Sequence, residues 1–80
     1  AAMSDVCVAY NIIDAGRKKS GKEFSTSKIV GVVDVCLQSG KDSGIPAEEL
    51  AKRIVANLFG VEITRQEADM IETETRNRIP

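Results

Sequence analysis

Apolar positions fall into four blocks along the chain, set apart by runs rich in glycine, serine and lysine. In the first, 4–19, Val6, Tyr10 and Ile13 share a face at helical spacing, and Ala9 and Ile12 widen it. Ser4 can cap this helix, and Asp5 lies in the first turn, where the helix dipole favours an anion. Arg17, Lys18 and Lys19 fall in the last turn, where cations complement the exposed carbonyls, and Gly21 marks the break.

The second block, 26–38, poses a choice. Ile29, Val30, Val32, Val33 and Val35 are β-branched, which favours a strand over 29–37. Alternation, however, would put Asp34 among Val30, Val32 and Cys36. Helical spacing separates the classes better. It gathers Ile29, Val32, Val33, Cys36 and Leu37 on one side, with Lys28, Gly31, Asp34 and Gln38 on the other. With Ser25 as cap, Phe24 and Ile29 stand at staple positions. The reading is a helix, with a strand as the alternative.

Ser39 to Gly44 is turn chemistry, which predicts a linker. The third block, 46–59, opens with Pro46 at a first helical position, then Glu48 and Glu49. Ala47, Leu50, Ala51, Ile54, Val55 and Leu58 follow the i, i+3, i+4 pattern, and Gly60 closes it as a cap. Glu48–Lys52 and Glu49–Arg53 are spaced as ion pairs in the favoured order. Thr64-Arg65-Gln66-Glu67 matches a capping box and opens the fourth block, 65–77. That block is polar apart from Ala68, Met70 and Ile71, and pairs Glu72 with Arg76 and Glu74 with Arg78.

The expected fold is therefore all-α, a compact bundle of about four short helices forming one domain over 3–80. Ala1 and Ala2 precede Met3 and read as a remnant ahead of the natural start. The expected core is Val6, Tyr10, Ile13, Ile29, Val33, Cys36, Leu50, Ile54, Leu58 and Phe59. At 80 residues the core is small, so association with a second copy would widen a thin stability margin. The β-branched second helix makes a homodimer the natural form of it.

Composition narrows the function classes. The chain has no histidine, which removes the commonest general base and most zinc sites. Its two cysteines, Cys7 and Cys36, match no CxxC pattern and read as free buried thiols rather than a bridge, which fits a reducing cytoplasm. No phosphate-binding glycine loop is present, and the carboxylates sit at helix starts or opposite cations. Asp42-Ser43-Gly44-Ile45 with Glu49 echoes the end of a calcium loop. Its first and third ligand positions would be Gln38 and Gly40, so no calcium site follows. The expectation is a non-enzyme with no metal, no cofactor and no catalytic residues. No apolar run is long enough to span a bilayer.

Net charge is −1, which gives no general attraction to nucleic acid. It is unevenly spread: Arg17, Lys18, Lys19 and Lys22 end the first helix, and Glu67, Asp69, Glu72 and Glu74 occupy the last. Such asymmetry steers association between proteins, so these eight residues are the candidate contacts of a small regulator, adaptor or inhibitor. The acidic helix could also mimic nucleic acid on a protein that binds it. The alternative starts from Ala56, Gly60 and Val61, spaced like the small residue, turn glycine and following apolar residue of a DNA-binding motif. This stretch, within 46–77, resembles a helix-turn-helix, which implies base contacts from Arg65 and Gln66. Gln66 departs from the motif, standing where it has a buried apolar residue, and the four acids that follow would repel phosphates.

Overall fold

A computed structural model describes residues 3–79, and every described element is helical. Helices α1 (Met3–Ser20), α2 (Thr26–Ser43), α3 (Ala47–Phe59) and α4 (Arg65–Arg78) follow one another through short turns. The radius of gyration is 11.5 Å, close to the roughly 12 Å of a compact chain of this length. The segment 29–37 is helix throughout, so burial of one face overrides the strand preference of its β-branched residues.

Local signals place most of the ends. The Ser25 hydroxyl accepts from the Lys28 backbone N–H at 3.2 Å, and Thr64 and Glu67 form a reciprocal capping box. Gly60 closes α3 in the left-handed conformation, its N–H donating to the Ala56 carbonyl. Pro46 stands one residue before α3, as its cap. Helix α1 already includes Met3, which puts Ser4 inside it rather than at its cap.

The end of α2 departs from expectation. Ser39, Gly40, Lys41, Asp42 and Ser43 are helical, and the left-handed cap is Gly44. Gly40 serves approach rather than turning: a Cβ there would lie 2.9 Å from the Ile45 carbonyl oxygen and 3.2 Å from Leu50 Cδ1. Glycine lets the chain fold back over the last turn of α2.

Helix α1 is the centre of the bundle. It packs on all three others, most extensively on α3, while α3 and α4 barely meet. Val8, Ala9, Ile12 and Ile13 from α1 are buried with Ile29, Val33 and Cys36 from α2 and Ala51, Val55 and Phe59 from α3. Ile63 and Ala68 complete the core. Phe24 meets Phe59 edge-to-face, with centroids 4.9 Å apart. Relative to the sequence reading, the buried stripes of α1 and α3 are rotated. Val6, Tyr10, Leu50, Ile54 and Leu58 are only half-buried and flank the core. Gly16 lets Val55 of α3 sit against the α1 backbone, and the small Ala9 and Ala51 are wholly buried in the same core.

Candidate functional site

Charged side chains divide into those used within the fold and those left facing outward. At the end of α1, the Arg17 guanidinium donates to Asp14 at 2.9 Å, and Lys18 reaches the other oxygen of the same carboxylate at 3.2 Å. Partial burial works against ionisation of Asp14, but these two cations hold its carboxyl below the usual range. Lys19 donates to the Glu67 carboxylate at 2.9 Å and to the Glu62 backbone carbonyl at 2.8 Å. Lys22 makes no ion pair among the described residues.

Helix α4 runs antiparallel to α1 along a line of polar contacts. Lys19–Glu67 closes one end, and Arg76 closes the other by donating to Asp5 at 2.9 Å. Between them the Asn11 amide donates to the Thr75 hydroxyl at 2.9 Å, and Thr75 in turn donates to the Ile71 carbonyl. Glu67, hydrogen-bonded by Lys19 and by the Thr64 N–H, titrates below the usual carboxylate range. The structure thus brings part of the basic cluster and part of the acidic helix together in one chain.

Asp69 and Glu74 make no ion pair among the described residues, and both are exposed. They flank Met70, which is 61% exposed, in an open depression lined also by Arg65, Gln66 and Thr73. Gln66, Asp69, Met70, Thr73 and Glu74 recur at three- and four-residue spacing, so they form one outward face of α4. Arg65 and Gln66, the candidate base contacts, open that face from the far side of the Gly60 turn.

A carboxylate cluster escapes the sequence reading. Glu48, at the start of α3, turns from Lys52 toward α4, where its oxygen, one of Asp69 and one of Glu72 lie within 4.8 Å of one another. Lys52 instead approaches Glu49 at 3.7 Å. Of the four spaced pairs, Glu49–Arg53 and Glu72–Arg76 form, while Glu48–Lys52 and Glu74–Arg78 do not among the described residues. A hydrogen bond to Glu72, with burial and the charges of Glu72 and Asp69, pushes the Glu48 carboxyl up to about 7. Its partner Glu72, bonded also by Arg76, is held below its ordinary range. These three side chains are a partial donor set for a hard cation, which takes six or more oxygens when it is calcium. Their arrangement also suits a proton shared across the α3–α4 seam. Glu48 is 21 residues before Asp69, and nothing in the spacing signals the meeting.

Both thiols are free. Cys36 is fully buried and its Sγ lies 3.4 Å from the Ala47 carbonyl, and burial pushes the thiol up, away from reactivity. Cys7 is half-buried. Among the described residues, no helix is long and apolar enough to cross a membrane. Compared with protein-family models, curated proteins and solved structures, the chain matches none of them.

Proposed function

We propose that the chain is a small non-enzymatic protein-binding module, a regulator, adaptor or inhibitor that works by occupying a partner's surface with the outward face of α4. The carrying observation is Met70, a large apolar side chain 61% exposed between the exposed carboxylates of Asp69 and Glu74. An exposed flexible apolar anchor within a polar rim is the pattern of an interface centre. Its complement is an apolar pocket rimmed by lysine and arginine, including a basic face that otherwise takes nucleic acid. The two free thiols support a reducing compartment, the cytoplasm.

Affinity capture from cells of the source organism tests the reading by comparison between variants. Proteins held by the wild-type chain should be lost from Met70→Asp and from Glu74→Lys, with circular dichroism unchanged. The same proteins at the same yield on all three would overturn it. A helix-turn-helix DNA-binding role keeps one supporting observation, the exposed Arg65 and Gln66 just past the left-handed Gly60. Asp69 and Glu74 share the face that would meet the duplex, and phosphates would be repelled there.

A further inference from the structure

Glu48 has two stations within reach of one side chain. It stands in the first turn of α3, and Lys52 lies one turn further on, in the order that favours an ion pair. The carboxyl instead crosses to α4, where its oxygen, one of Asp69 and one of Glu72 lie within 4.8 Å of one another. Lys52 is left 3.7 Å from Glu49, which Arg53 also approaches at 3.7 Å. Three carboxylates this close repel strongly when all are ionised, so the crossing stands only while two of them share a proton. Once that proton leaves, Glu48 is repelled from α4 and attracted back along its own helix.

We propose that Glu48 is a proton-operated latch on the α3–α4 seam, bonded across to Glu72 while it holds a proton and swung back to Lys52 when it loses it. The surrounding charges fix the direction. Glu72 and Asp69 act on Glu48 from α4 as like charges, and Lys52 of its own helix is the opposing cation. Glu49 and Arg65, of opposite sign, line the same depression. Arg76, itself tied to Asp5 of α1, keeps Glu72 ionised, so the proton stays on Glu48 rather than passing to its partner. With the Glu48 carboxyl pushed up to about 7, the exchange falls near neutral pH. Helices α3 and α4 scarcely touch and α4 is held mainly by α1, so the latch can open without unfolding either. Asp69 belongs both to the latch and to the outward face of α4, so the position of Glu48 sets the field beside Met70. The latch is a property of the chain alone and holds whether or not that face binds a partner.

Carbon-13 NMR of the whole chain between pH 4 and pH 9 tests it. The Glu48 Cδ resonance should inflect near pH 7, and the Asp69 Cγ and Lys52 Cε resonances and the Glu48 side-chain torsions should change at the same pH. Glu72→Gln removes the repelling charge and offers an amide donor, so the Glu48 inflection should fall back to about 4.5 or below. Lys52→Gln takes away the second station, and should raise the inflection by roughly 0.5 in pH and abolish the change of torsion. Circular dichroism should not differ among the three chains. A wild-type Glu48 inflection near 4.5, or one that Glu72→Gln leaves in place, overturns the proposal. So does an inflection near 7 with Lys52 and the Glu48 side chain unmoved, since the proton would then be shared without operating anything.

Discussion

Gly16→Ala is the substitution whose sign the packing decides. Helix propensity alone favours alanine by up to about 1 kcal/mol. Against this, the new Cβ would lie 2.5 Å from Val55 Cγ1, 2.7 Å from Cγ2 and 3.1 Å from Cβ, where ordinary contact begins near 3.4 Å. Val55 is 0% exposed and β-branched, and rotating it only exchanges one crowded methyl for the other. Relief therefore requires α1 and α3 to part by several tenths of an ångström along the most extensive contact in the bundle. Overpacking of this kind costs about 1–3 kcal/mol, so the clash outweighs the propensity gain and the expected net loss is about 1–2 kcal/mol. In a domain of this size that lowers Tm by about 5–15 °C. Urea and thermal denaturation of Gly16→Ala, Val55→Ala and the double variant form the assay. Val55→Ala removes both crowded methyls, so the double variant should be no less stable than Val55→Ala alone, a coupling of about 1–3 kcal/mol. A Gly16→Ala chain as stable as wild type, or additive losses in the cycle, would refute the close-approach account.

Three further outcomes are expected. Glu48 ionises near pH 7 in the folded chain against an ordinary 4.5, so the folded state holds a proton that the unfolded state releases, and stability falls as pH rises from 4.5 to 7. The full shift corresponds to about 3 kcal/mol, which solvent screening of this half-exposed pair reduces to about 1 kcal/mol. Glu48→Gln should therefore flatten the urea midpoint between pH 5 and pH 8, and an unchanged slope would exclude the shared proton. Thr64→Ala removes the hydroxyl that accepts from the Glu67 backbone N–H at the start of α4, costing about 1 kcal/mol in thermal unfolding. A labelled mixed-sequence duplex titrated at low salt should show no binding. Binding that weakens steeply with salt would restore the helix-turn-helix reading and make Arg65 and Gln66 the next targets.

The helices and most of their ends were legible because each rests on local chemistry. Ser25, Gly60 and the Thr64–Glu67 box act on backbone groups within a turn of themselves, and the structure uses all of them as expected. Gly40 misled because glycine has two uses. It reads as a break, but here it admits the Ile45 backbone, a contact the spacing does not carry. The rotated stripes of α1 and α3 have the same origin. Tyr10 and Leu50 dominate a count of apolar volume, whereas the structure packs Val55 against Gly16 and buries the small Ala9 and Ala51 in full. The Glu48 cluster is a tertiary meeting between helices that scarcely touch, so no periodicity announces it.

The charge asymmetry of the sequence carries two different jobs once the chain is folded. Glu67 and Glu72 are tied to Lys19, Arg76 and the Thr64 cap, so reversing all four α4 acids together would loosen the helix and mimic lost binding. Asp69 belongs to the Glu48 cluster, so Glu74 is the acid whose reversal reads recognition with least effect on the fold.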